Sequence, residues 1–189
     1  MIITIHQPNF FPYYPFFQKM EDSDVFVILT HCQFEKNNFQ NRFNLNGKWY
    51  TMSTNKGLDP INTKKYLNSA KDWNVIKNML PEYKNILGLF DECVSDSLSQ
   101  TNSNIIIKIK EFLNIKTEIV FDYQTNLTST DRLVDICLKY GGKTYMSGVS
   151  GKKYLDITKF NDNGINVIFQ QEETMIKIPI LEILKKSNF

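Results

Sequence analysis

The chain has 189 residues, and its 22 Lys plus Arg against 20 Asp plus Glu leave a formal charge of +2. No basic block of the kind that neutralises a run of phosphates is present, which argues against a nucleic-acid partner. A hydrophobic content of 42%, with 13% aromatic residues, fills a globular core and excludes disorder, and the length suits one domain over residues 1–189.

Residues 2–5 are a short β-branched run ended by His6 and Gln7 and then by two prolines, so a buried strand is expected to run straight into a stiff loop. Pro15 pre-sets a helix start, with Phe16, Phe17 and Met20 on one face, and residues 25–29 form a second continuous apolar strand. This is a βαβ-like beginning. A third strand is expected at residues 49–52, after a tight turn at Asn46-Gly47.

From about residue 65 to 115 the pattern becomes helical, with Trp73, Ile76, Met79 and Leu80 followed by Ile105, Ile106, Ile109 and Phe112. Pro81 separates or kinks these helices. Asp91, Glu92 and Asp96 are expected on a solvated helix face. Residues 117–121 read as a strand, and Leu133, Ile136, Cys137 and Tyr140 mark a helix entered at Ser129 or Thr130 and stopped by Gly141-Gly142. A strand at 144–147, a Gly-rich loop, a short helix near 156–161 and a strand at 165–169 follow. Helices alternating with apolar strands predict an α/β fold, a mostly parallel sheet with helices on both faces and a helical insertion around 65–115.

Cys32, Cys93 and Cys137 lack CxxC spacing, so neither a disulfide framework nor a metal site is expected. There is no secretion signal in the first residues and no apolar run of ~20 residues. A cytoplasmic protein without membrane insertion is the expectation. Oligomeric state is not encoded in any recognisable pattern.

Three clusters are candidates to carry chemistry. His6, Gln7 and Asn9 lie where a strand's carboxyl end meets a proline-stiffened loop, the place where open α/β sheets hold ligands. A histidine side chain ordinarily changes charge near neutrality and the two amides donate and accept hydrogen bonds; the bland alternative is that His6 bonds the backbone and Phe10 and Phe11 fill core. After the second strand come His31, Gln33, Lys36, Asn37, Asn38, Gln40, Asn41 and Arg42. There Arg42 can clamp a phosphate or carboxylate, Lys36 can add a point charge, and Gln33 and Asn41 can read hydroxyls, unless the run is simply a solvated loop. The third cluster is Ser147, Gly148, Ser150, Gly151, Lys152 and Tyr154, where glycines let backbone amides approach an anion, or where the chain makes an ordinary tight connection. Its spacing is not that of a Walker A loop.

Taken in order, the segments His6-Gln7-Pro8-Asn9-Phe10-Phe11-Pro12, Ser23-Asp24-Val25-Phe26, Gln33-Phe34-Glu35-Lys36 with Asn41-Arg42, Asp131-Arg132-Leu133-Val134-Asp135, Tyr145-Met146-Ser147-Gly148 and Tyr154-Leu155-Asp156 resemble the WbqC-like family. That family is associated with bacterial surface-polysaccharide gene clusters. The resemblance implies a transferase acting on a nucleotide-activated sugar, with acyl or aminoacyl transfer to an amino sugar as its reaction. His6, Gln7 and Arg42 would be the catalytic groups, and ATP or an activated acyl donor the co-reactant. Two departures are visible: Thr30-His31 stands where the family carries an acidic pair, and Gln170-Gln171-Glu172-Glu173-Thr174 stands where it carries a His-Pro-x-Tyr-x-Gln segment. A fainter likeness to nucleotidylyltransferase-like α/β enzymes implies ATP-dependent carboxylate activation, although the HxGH spacing is absent. A non-catalytic sugar-nucleotide binding or scaffold protein is the alternative from another class.

Overall fold

The computed structural model describes residues 1–187. In chain order it runs β1 (Ile2–His6), α1 (Tyr14–Glu21), β2 (Val25–Ile28), β3 (Arg42–Leu45), β4 (Lys48–Thr51), α2 (Ser69–Met79), α3 (Lys84–Gly88) and α4 (Leu98–Phe112). It continues with β5 (Glu118–Phe121), α5 (Ser129–Lys139), β6 (Thr144–Ser147), α6 (Ile157–Asp162), β7 (Asn166–Phe169) and α7 (Ile180–Lys186). The backbone groups into two compact units. The first comprises Met1–His6, Pro15–Leu29 and Ile115–Ile176; the second comprises Gln7–Tyr14, Thr30–Asn114 and the segment from Lys177.

The first unit is a five-stranded sheet of order β5-β2-β1-β6-β7, parallel throughout. Alternation of side chains splits it into two apolar faces. Ile3, Ile5, Val25, Val27 and Tyr145 point one way and pack with Val134, Ile136 and Cys137 of α5 and Phe160 of α6. Phe26 points the other way and meets Phe16 of α1, with ring centroids 5.0 Å apart. Helices therefore cover both faces, as the β-branched and continuous apolar strands predict. Burial holds the Cys137 thiol up at about 12, so it is an inert core group.

Register explains why the end of β1 matters. On one side β1 pairs His6 with Ile28, and on the other it pairs Thr4 with Met146. In sequence order the sheet grows from β1 through β2 to β5 in one direction and through β6 to β7 in the other. The reversal lies between β1 and β6, and a crevice outside the carboxyl ends of strands at such a reversal is where open α/β sheets place ligands.

The second unit is built on aromatic packing. Phe11 stacks on Trp73 at 5.8 Å and 9° and meets Phe43 and Phe90 edge-on or tilted, while Phe10 contacts Phe43, Tyr66 and Trp73. Phe11 keeps φ at 45°, a left-handed backbone that a bulky residue adopts only when its surroundings over-determine it. Both phenylalanines are buried, so the second half of the His6 to Pro12 segment fills the core of the second unit.

The remaining elements meet some expectations and correct others. The strand expected at 49–52 is β4; it pairs antiparallel with β3 through Asn46 and Gly47 at φ 52° and 80°, and the pair stands as a separate two-stranded sheet. Arg42 opens β3 rather than closing a polar loop, because Arg42-Phe43-Asn44-Leu45 alternates with Phe43 and Leu45 inward. Asp91, Glu92 and Asp96 do not share a helix face. Asp91 sits in a 3₁₀ turn and accepts from Trp73 Nε1 and Lys77 Nζ, whereas Asp96 accepts from Ser69 Oγ. Helix α7 was not anticipated; its Glu182 accepts a hydrogen bond from Tyr83. Pro81 does separate α2 from α3, inside a 3₁₀ turn.

Candidate functional site

The geometry of the Gln7 amide starts deep inside the second unit. Asn102 of α4 is completely buried, and its Nδ2 donates to Pro8 O at 2.8 Å and to Gln40 O at 2.6 Å. Tyr66 donates its phenol to Asn102 Oδ1 at 3.0 Å, and burial holds that phenol well above the usual tyrosine range. Gln40, also fully buried, donates from Nε2 to Gln7 Oε1 at 2.6 Å and accepts the Glu35 backbone N–H at 2.8 Å. Each contact holds its amide or hydroxyl in one orientation, and buried hydrogen-bond networks of this kind favour a single arrangement.

The consequence is that Gln7 presents its Nε2 outward, where it faces Glu35 Oε1 at 3.4 Å. The other carboxylate oxygen of Glu35 accepts from Asn38 Nδ2 at 2.5 Å. These groups border an open surface cavity of about 630 Å³ lined by Gln7, Cys32, Gln33, Phe34, Glu35, Lys36 and Leu58. The wall carrying Leu58 is fixed from below by Lys64. That buried ammonium donates to Gly57 O at 2.7 Å, lies 3.5 Å from Asp59 and sits 4.8 Å from the centre of the Phe34 ring. Amides, a carboxylate, an ammonium and an apolar wall make a cavity suited to a polar ligand with an apolar portion.

Of the residues singled out in sequence, Gln7, Gln33 and Lys36 meet at this cavity. Asn9 is half-buried in the same unit. Asn41 and Arg42 are turned to other work. Asn41 Nδ2 donates to Met52 O at 2.7 Å, which pins the hairpin, and Arg42 donates to Asn37 O while its guanidinium lies 4.1 Å from the centre of the Trp49 ring.

His6 belongs to the first unit, where its ring meets Phe16 edge-on at 4.8 Å and its carbonyl accepts Leu29 N at 2.8 Å. Ser147, Gly148, Ser150, Gly151, Lys152 and Tyr154 belong to that unit as well. Ser147 is buried and donates to Gly148 O at 3.1 Å. Gly151 is required there by packing, since a Cβ on it would lie 2.0 Å from Ser147 Oγ. Ser150, Lys152 and Tyr154 are exposed, and Lys152 borders a second cavity of about 410 Å³ with Gln170, Gln171, Glu172 and Glu173.

Sequence reasoning missed Glu35 and Asn102, and it named Gln40 only as one of a run of amides, without its buried role. For Asn102 a signal existed: it lies on the stripe of Leu98, Ile105 and Ile109 along α4, so a polar side chain was bound to be buried. Glu35 and Gln40 sit in a polar run that reads as solvated, and only their long-range partners distinguish them.

Among the described residues no three His, Cys, Asp or Glu side chains converge as a metal site, and no helix is long and apolar enough to cross a membrane. Among known proteins, the chain is 23% identical to the uncharacterized protein Rv1507c of Mycobacterium tuberculosis over 184 residues, covering 87% of this chain and 80% of that one. A crystal structure of a zinc-bound mutant of AdcAII from Streptococcus pneumoniae aligns over 98% of both chains at 13% identity, with a TM-score of 0.24, below what a shared fold requires. The family model of the WbqC-like proteins matches residues 7–179, from the Gln7 of the cavity to the residue before α7, and the chain belongs to that family.

Proposed function

We propose that this protein is a transferase of bacterial surface-polysaccharide biosynthesis, acting in the cytoplasm on a nucleotide-activated sugar. The observation that carries the reading is the Gln7 amide, locked by the buried Gln40 at the rim of a cavity that also holds Gln33, Glu35 and Lys36. Preorganised donors of this kind accelerate group transfer by orienting substrate, without needing a strong nucleophile. The strand reversal between β1 and β6 supports the nucleotide part of the reading, because its crevice is the usual site for mononucleotides in parallel sheets. In this reading His6, next to Gln7 in the chain, is the general base or charge stabiliser, Gln7 orients the sugar, and Lys36 holds phosphate or carboxylate. Arg42 acts through the 37–42 loop that it ties down.

The test is turnover. Pooled nucleotide sugars are incubated with acyl-thioester donors, or with ATP and small carboxylates, and products are read by mass spectrometry. A modified nucleotide sugar is expected; H6A should abolish it with an unchanged melting curve, and Q7A should abolish it at some cost in stability, because it removes the acceptor of the buried Gln40 Nε2. Full activity in H6A would remove that histidine from the mechanism. Binding without conversion in any pool would make the protein a scaffold, and pyrophosphate release would make it a carboxylate-activating enzyme.

A further inference from the structure

A further cavity, of about 310 Å³, lies within the first unit between α1 and the sheet. Its floor follows from register. Met146 of β6 pairs with Thr4 and with Ile168 of β7, and Thr4 pairs with Phe26, so Met146 and Ile168 share the sheet face that α1 covers. Helix α1 contributes Gln18 and Asp22 to the walls, and the segment that follows β7 contributes Thr174 and Met175. That segment is held lightly. No side chain of its 3₁₀ turn, Glu172–Thr174, is buried, and its backbone bonds from Thr174 N to Gln171 O and from Met175 N to Glu172 O are local and long, both at 3.3 Å. One amide ties it to α1 at two points: Gln18 Nε2 donates to Thr174 O at 3.2 Å, and Gln18 Oε1 accepts Ile176 N at 2.8 Å.

A segment with few buried apolar contacts and exposed backbone hydrogen bonds opens locally, at a fraction of the cost of global unfolding. We propose that residues 171–176 are a lid on this cavity, latched by the Gln18 amide, and that an uncharged, partly apolar small molecule enters when the lid opens. Met146, Ile168, Phe169 and Met175 supply the apolar contact. Among the described residues that line the cavity none is cationic, and Asp22 brings a carboxylate, so an anion is disfavoured there. The inference does not depend on the transferase reading of the Gln7 cavity.

Two readouts on the full chain test it. In native-state hydrogen exchange, the Met175 amide should exchange well ahead of the sheet amides of Asn166 and Gln170, which donate to Lys143 O and Ser147 O. Q18A removes both latch bonds but leaves the Met175 bond to Glu172 intact, and it should speed exchange at Met175 about tenfold or more with the two sheet amides unchanged. Q18E keeps the acceptor for Ile176 and loses the donor, so it should fall between. Access is read from the thiol introduced by M146C in a C32S background. That thiol should react with neutral dithiodipyridine faster than with anionic dithiobis-nitrobenzoate, each rate taken relative to free cysteine, and Q18A should raise both rates by the factor seen in exchange. A wild-type Met175 amide as slow as Asn166 overturns the lid without any variant, and so does a Q18A effect spread equally over lid and sheet. A thiol whose rate ignores Q18A removes the latch from control of the cavity, and a preference for the anionic reagent overturns the ligand class.

Discussion

Gln40 Nε2 meets Gln7 Oε1 at 2.6 Å, and Gln40 is completely buried while Gln7 reaches the cavity. A buried amide therefore dictates which end of a functional amide faces the ligand. Inverting Gln7 would set its Nε2 against the Gln40 donor, so only one orientation is tolerated.

Replacing Gln40 with Leu strips the Glu35 N–H and Gln7 Oε1 of their shared partner. The expected cost is about 2 kcal/mol, since an unsatisfied buried group loses roughly 1–3 kcal/mol and water reaches Gln7. Urea denaturation gives this number. Once a substrate is in hand, Q40L should lower kcat more than it raises KM, because the amide it disorients acts on the reacting geometry.

Asn102 carries a heavier penalty, as it satisfies the Pro8 and Gln40 carbonyls together. N102L is expected to lose about 2–5 kcal/mol. N102D should recover little, because a carboxylate can accept from Tyr66 but cannot donate to either carbonyl. A urea midpoint for N102D close to wild type would show that the carbonyls find other donors.

Lys19 on α1 is 3% exposed, and burial lowers its ammonium from the ordinary 10.5 to about 7. The unfolded chain holds this proton up to about 10.5 and the folded chain only up to about 7, so stability rises as pH climbs through that window. Burial raises Tyr66 and Tyr145, and burial with Glu182 raises Tyr83. The folded state therefore keeps phenol protons that the unfolded state sheds above about 10, and stability falls there. Melting temperatures should accordingly peak between pH 9 and 10, about one unit below the unfolded lysine value. K19M should flatten the rise and stabilise the protein at pH 7 by roughly 1–4 kcal/mol.

Gly151 and Ser147 form a pair that a double-mutant cycle can isolate. G151A forces a methyl group into Ser147 Oγ and toward Leu155 Cδ1 at 2.9 Å, for an expected loss of about 1–3 kcal/mol. S147A removes the nearer obstacle. The double variant should cost less than the sum of the singles, and strict additivity in thermal melts would show that the loop moves away instead.

The parallel sheet was legible because its strands are short, continuous and apolar, and the helix between residues 129 and 139 because its apolar positions recur at helical spacing. The hairpin was half legible: Asn46-Gly47 announces the turn, but Arg42 and Asn44 hide the strand before it. At the cavity, Gln7, Gln33 and Lys36 were named from residue type and position. Arg42 and Asn41 were named on the same grounds, and the structure spends them on the backbone of the hairpin and its loop.

By itself the sequence determined what depends on local pattern: the α/β class, the βαβ start, the break at Pro81 and the polar segment at the end of β1. Tertiary structure decided what depends on partners far apart in the chain. Glu35 has no local signature of function, and nothing local sets Gln40 apart from the amides around it. Residues 62 and 94 positions away from Asn102 converge on that one buried amide, and this convergence turns Gln7 toward Glu35 and the cavity.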